Sequence, residues 1–297
     1  MSPNTEPAPL ILSGPLILDG AWGTELQAQG LEPGACPDAW NLTHSAQVSS
    51  VAQGYVQAGS RIILTNTFGA NRVVLSRHGL TEKAADINRA GARISCEAAA
   101  GKAKVFASMG PSGKLLVMGE VSEAELSDAF NEQAQSLAEG GVDGLVLETF
   151  TALDELLIAL AAAKATGLPV VACMVFDSGA LKDKSAMVVA PEKAAKALTE
   201  AGADAIGANC GRGVEGYIPI CRRLRAATDL PIWVKPNAGL PKLEDGRISY
   251  DVTPTQFAAG VKNLLEAGAN MVGGCCGTSP AFIEAIGEAC DCHGNCF

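Results

Sequence analysis

QAGSRIILTNTF (57–68), EGGVDGLVLETF (139–150), EAGADAIGANC (200–210) and EAGANMVGGCC (266–276) are four versions of one phrase. Each starts at the end of a helical pattern and passes through a glycine suited to a left-handed helix cap: Gly59, Gly141, Gly202 or Gly268. Each then enters a short apolar run of strand character. At matching positions after these glycines stand Asn66, Glu148, Asn209 and Cys275, followed by Thr67, Thr149, Cys210 and Cys276. The apolar runs are ordinary phrasing wherever a helix feeds a parallel strand. That does not account for carboxylate, amide, hydroxyl and thiol groups gathered at the run ends.

Working outward from these phrases, strands are predicted at Leu16–Asp19, Arg61–Phe68, Lys104–Gly110, Gly144–Thr149, Pro169–Phe176, Ala205–Cys210, Pro231–Asn237 and Met271–Cys276. Between them lie amphipathic helical patterns such as Glu123–Glu139, Ala152–Thr166, Pro191–Glu200 and Pro254–Glu266. Strands that alternate with helices pair in parallel through crossovers. Eight such units predict an α/β fold, a single-domain (β/α)8 TIM barrel over residues 11–289, with a flexible segment at 1–10 and a Cys-rich tail at 290–297. The competing doubly wound open sheet lacks its Gly-rich phosphate loop after the first strand. In the barrel the four phrases are strands two, four, six and eight. Alternate strands send side chains into one interior layer, so the polar run ends converge on one mouth.

A net charge of −10 argues against a nucleic-acid surface or docking on anionic lipid. Met1–Pro9 is polar and Pro-rich, without the basic start and apolar run of a signal peptide, and no apolar stretch approaches the roughly 20 residues of a membrane helix. A cytoplasmic protein is expected. Ten cysteines in a reducing compartment do not read as a disulfide framework. Cys96, Cys173 and Cys221 lie in apolar patterns and read as small buried hydrophobes. The tail Cys290-Asp291-Cys292-His293-Gly294-Asn295-Cys296 reads as flexible or weakly metal-binding.

Cys210 ends one strand, and Cys275 and Cys276 end another inside GGCCG. Three thiolates suit zinc and leave one coordination position for a substrate. Neighbouring strand residues point to opposite faces, so Cys275 and Cys276 reach one ion only if the backbone turns, which Gly273, Gly274 and Gly277 permit. A structural zinc site, a vicinal disulfide and coincidental thiols are the alternatives. Asp19, in LDGAWGTEL, either caps the next helix or serves the mouth; backbone N–H groups of the Gly20–Thr24 turn, Gly23 and Thr24 included, suit a carboxylate. Glu148 faces inward and suits a substrate ammonium. His44, His78, Arg72 and Arg77 read as solvated positions. No G-x-S-x-G elbow, P-loop or H-E-x-x-H is present.

DGAWGTELQAQGL, LTNTFGANRVVLSRHGL, LETF, GANCG, KPNAGLP and GGCCGTSP, in this order over nearly the whole chain, resemble the homocysteine S-methyltransferase family. The resemblance implies the same barrel, zinc on Cys210, Cys275 and Cys276 as the catalytic centre, and homocysteine as thiol substrate. It implies that Asp19 and Glu148 meet the substrate ammonium, that Gly20, Gly23 and Thr24 meet its carboxylate with Thr67 nearby, and that Asn237 stands near the metal. Lys235 receives no role, and Asp177–Val189 departs from the family's phrasing. The expected reaction gives methionine, with the methyl donor either methylcobalamin on a partner protein or a small onium compound such as S-methylmethionine or a betaine. Beside the barrel, no separate donor domains are expected in a chain of this length. A free thiol is mostly protonated at neutral pH, and zinc coordination removes that proton, so no general base is demanded. The alternative from another class is a non-catalytic zinc-binding or thiol redox-sensing protein.

Overall fold

Residues 15–244 and 247–291 are described by a computed structural model. The expected flexible segment 1–10 and all of the tail beyond Asp291 lie outside these residues. Eight strands form the barrel: β1 (Leu16–Ile17), β2 (Ile62–Leu64), β3 (Lys104–Met109), β4 (Gly144–Phe150), β5 (Val170–Met174), β6 (Ala205–Cys210), β7 (Ile232–Pro236) and β8 (Met271–Val272). They run in the order β1-β8-β7-β6-β5-β4-β3-β2, every neighbour parallel. A parallel bridge between Leu18 and Ile62, with Arg61 N–H donating to the Ile17 carbonyl at 2.7 Å, closes β1 onto β2.

Eight helices cover the outside: α1 (Ser45–Gln57), α2 (Ala84–Ala99), α3 (Glu123–Glu139), α4 (Leu153–Lys164), α5 (Pro191–Glu200), α6 (Val214–Ala227), α7 (Pro254–Glu266) and α8 (Pro280–Asp291). Their starts are written in side chains. Ser122 and Glu125 form a reciprocal capping box on α3, and Thr253 and Gln256 form another on α7, where Pro254 occupies the first turn. Their exits use the four phrase glycines, all left-handed, with φ +94° at Gly59, +90° at Gly141, +83° at Gly202 and +105° at Gly268. No helix among the described residues is long and apolar enough to cross a membrane.

The barrel interior is a plug. Phe106 on β3 and Trp233 on β7 stack with ring centres 6.2 Å apart, within a cluster that includes Leu18, Ile62, Val146 and Met271. Even strands make room with glycine: a Cβ on Gly144 would sit 2.7 Å from the Phe106 ring, and one on Gly207 would collide with the Trp233 carbonyl. The filled interior leaves the strands' C-terminal ends as the open face, where barrels build sites.

β2 and β8 fall furthest short of their sequence pattern. β2 stops at Leu64 because side chains take over the ladder: Leu64 N–H donates to the Asp19 carboxylate at 2.7 Å, and the Thr65 hydroxyl accepts from Ser108 N–H at 3.1 Å. β8 stops at Val272 because Gly273 and Gly274 pass tightly beside Asp19 and Thr278. α8 runs through Asp291 and buries Cys290 at 8% exposure, so the boundary expected at residue 290 falls inside this helix. The departing stretch 177–189 folds back through a Ser178–Lys184 bridge and is tied to α5 and α6 by Arg223, which pairs with Asp183 at 2.6 Å and Glu192 at 2.5 Å.

Candidate active site and metal centre

β6 and β8 deliver three sulfurs to one point. Among the described residues, Cys210, Cys275 and Cys276 are the cysteines whose Sγ atoms cluster, all within 4.8 Å of one another. The turn required at the adjacent pair is present: Thr278 N–H and Oγ1–H both donate to the Cys275 carbonyl, at 3.1 and 2.7 Å. Gly277 follows at φ +83°, its Cα against the Tyr250 ring. The turn rotates Cys276 to the side of Cys275, which a regular strand forbids.

Cys210 itself sits at φ +64°, and Thr149, its counterpart in the repeated phrase, at φ +67°. Such values are outliers for residues with a Cβ and need holding in place. Asn209 does this for Thr149, accepting from its N–H and donating to its hydroxyl, each at 2.7 Å. The Tyr217 hydroxyl donates to the Asn209 carbonyl at 2.7 Å, just before Cys210.

Three half-buried thiols lie against one another, and ionising one discourages ionising the others. Hydrogen bonds from Cys275 and Cys276 hold the Cys210 thiol down to about 3, against its burial. In return the same bonding to Cys210 pushes Cys275 up to about 11 and Cys276 far up. A divalent soft cation would relieve that competition, so the donor set fits zinc. Asn237 adjoins it: its amide N–H donates to the Gly211 carbonyl at 2.8 Å, it helps hold Cys210 low, and its Oδ1 is buried without a partner.

The sulfurs form part of the wall of a cavity of about 580 Å³, shared with Glu148 and Lys235 and reaching Phe68, Arg77 and His78. Glu148 accepts from the Ser108 hydroxyl at 2.5 Å and from Asn209 at 3.3 Å. Burial dominates its environment and pushes its carboxyl up to about 7, Lys235 opposing.

The remaining expected residues divide. Gly20, Gly23 and Thr24 line the cavity, and the buried Thr24 Oγ1 has no partner. Thr67 does not line it: fully buried, its hydroxyl bridges the Ser108 carbonyl at 2.8 Å and the Thr65 hydroxyl at 2.5 Å, while Thr65 and Asn66 face the space. Asp19 also stands behind the wall. Its Oδ2 accepts from Trp22 Nε1 at 2.8 Å and Leu64 N–H at 2.7 Å, and its Oδ1 pairs with Lys235 Nζ at 2.5 Å. Arg77 is exposed, as expected; it also lines the outer cavity and donates to the Ser112 carbonyl at 3.0 Å.

Sequence reasoning passed over Lys235, Ser108 and Tyr250. Lys235 alone carried a signal, a charged residue inside an otherwise apolar strand, IWVKP. Ser108 and Tyr250 come from other elements, and only folding brings them near.

Three comparisons bear on this site. A methionine synthase of Mycobacterium tuberculosis (strain ATCC 25618 / H37Rv) is 32% identical over 292 residues, and one of Mycobacterium leprae (strain TN) is 31% identical over 292 residues. Each alignment covers 92% of this chain, which spans 24% of the length of each relative. The metallated form of the Escherichia coli homocysteine methyltransferase MmuM superposes with a TM-score of 0.79 at 23% identity, covering 95% of this chain and 99% of that one, a likeness of fold. The family model described as homocysteine S-methyltransferase matches residues 16–290, from β1 to the end of the last helix. With three thiols gathered at the mouth of that barrel, the chain belongs to the homocysteine S-methyltransferase family.

Proposed function

We propose that this protein is a zinc-dependent methyltransferase that moves a methyl group to the thiol of homocysteine, giving methionine. The observation that carries this is the convergence of Cys210, Cys275 and Cys276 within 4.8 Å on a cavity of about 580 Å³. The cysteines hold zinc and leave a position for a fourth sulfur. Zinc bound there would supply a deprotonated substrate thiol at neutral pH. Glu148 holds the substrate ammonium, and the Gly20–Thr24 turn, with Gly23 N–H and Thr24 Oγ1, supports the carboxylate. Asn237 steadies Cys210 from behind. Placement and charge, rather than a proton-transferring base, are what these residues contribute.

The outer cavity, toward Phe68, Arg77 and His78, is left for the methyl donor: methylcobalamin on a partner protein, or a small onium compound. A panel of both donor classes with homocysteine, read as methionine by mass, separates them. We place the reaction in the cytoplasm.

Cys210→Ala tests the proposal. Zinc content and methionine formation should fall together, the latter by at least ~10³-fold. Full activity in zinc-free Cys210→Ala protein overturns it. A zinc store or redox sensor would give no new sulfur ligand on adding homocysteine, where X-ray absorption of the enzyme should show one.

A further inference from the structure

Lys235 is the one lysine among the described residues buried to 2% exposure, and it lines the cavity that holds the cysteines and Glu148. Its ammonium carries three N–H donors. One is spent on Asp19 Oδ1 at 2.5 Å, and no other side-chain acceptor among the described residues is bonded to the ammonium. A buried cation on the wall of an enclosed space, with donors to spare, calls for an acceptor from outside the protein. The Thr24 hydroxyl, on the same cavity, is likewise buried and unpartnered.

The same ion pair changes what Asp19 does. Both its oxygens are engaged, it is fully buried, and Lys235 stands at the cavity wall in its place. A substrate ammonium brought to Asp19 would be set beside another cation. Glu148 feels the Lys235 charge through space, but its bonded partners are a hydroxyl and an amide, both neutral, and no ion pair engages it among the described residues.

We propose that Lys235 binds the carboxylate of the amino-acid thiol and screens Asp19 from the substrate, leaving Glu148 alone to receive the ammonium. This rests on the homocysteine reading above and assigns polarity to it: carboxylate toward β7 and β1, ammonium toward β4, sulfur toward β6 and β8. Lys235 thereby selects thiols that carry a carboxylate.

The test is thiol binding to zinc-loaded protein by calorimetry, with homocysteine, aminopropanethiol (homocysteine without its carboxylate) and γ-mercaptobutyrate (homocysteine without its amine). Lys235→Met should weaken homocysteine and γ-mercaptobutyrate by about 10- to 100-fold, the range of a hydrogen bond to a charged group. It should leave aminopropanethiol within about 3-fold, so that discrimination for the carboxylate collapses. Because Lys235→Met leaves the Asp19 charge unpaired, the Asp19→Asn/Lys235→Met pair is measured alongside and should show the same pattern. Equal weakening of all three thiols, or unchanged homocysteine binding, overturns the assignment. If the wild type binds γ-mercaptobutyrate in a Lys235-dependent way but not homocysteine, the homocysteine reading fails and the role of Lys235 stands. Binding of neither carboxylated thiol overturns both.

Discussion

Glu148 and Asp19 show how two carboxylates at strand ends on one barrel face meet different surroundings. Asp19 has a buried cation at 2.5 Å; Glu148 has only neutral donors, and burial lifts its carboxyl from an ordinary 4.5 to about 7. The proposed ammonium contact needs the ionised form of Glu148. Below about 7 it is neutral, so homocysteine binding to zinc-loaded protein should tighten as pH rises from 6 to 8. Glu148→Gln should weaken homocysteine by about 10-fold or more near pH 8 and remove the part of the pH dependence owed to this carboxyl. A Gln variant with unchanged affinity and an unchanged pH slope would reject the ammonium role. Asp19 makes a different prediction. Asp19→Ala would strand the buried Lys235 charge and cost about 3–5 kcal/mol of stability, whereas Asp19→Leu/Lys235→Met should recover most of it. Denaturant unfolding of the two variants checks this.

At the scale of elements, the site depends on strands that end irregularly. β6 finishes in a left-handed Cys210, and β8 gives way after two residues to Gly273 and Gly274. These departures let consecutive cysteines share one side. Gly277 is constrained twice over: φ is +83° and the Tyr250 ring covers the place of a Cβ. Gly277→Ala should cost about 1–3 kcal/mol in backbone strain alone and lower zinc affinity, because the Cys275–Thr278 turn must shift. Competition with a chromophoric chelator measures the affinity. As a contrast, Ser122→Ala removes one capping box far from the mouth and should cost about 1 kcal/mol while leaving zinc affinity unchanged.

Over the whole molecule, a zinc ion held by Cys210, Cys275 and Cys276 would tie the end of β6 to the turn after β8. A ligand that binds only the folded state stabilises it by mass action. Stripping metal from the wild type should therefore lower Tm, by roughly 2–4 °C for each kcal/mol of binding energy lost. Cys210→Ala, already without a complete donor set, should show no further drop on adding chelator. Calorimetric scans of the two proteins with and without chelator decide it. A wild type whose Tm ignores chelator would sink the shared metal site.

The barrel was legible because its signals are local. Capping residues, phrase glycines and alternating apolar periods each act within a few residues, and the boundaries of α3, α5, α7 and β6 coincide with those read from the chain. The repeated phrase also pointed to Glu148, Cys210, Cys275 and Cys276, since strand ends in a parallel barrel must share a face. What tertiary structure alone decided is which polar group fronts the cavity and which stands behind it. Asp19 and Thr67 were reasonable as substrate contacts by position, but their partners come from other strands, at Lys235 and Ser108, 216 and 41 residues away in sequence. Whether a buried charge is spent inside the protein or left for a ligand depends on who lies opposite, and no local pattern in a chain encodes that.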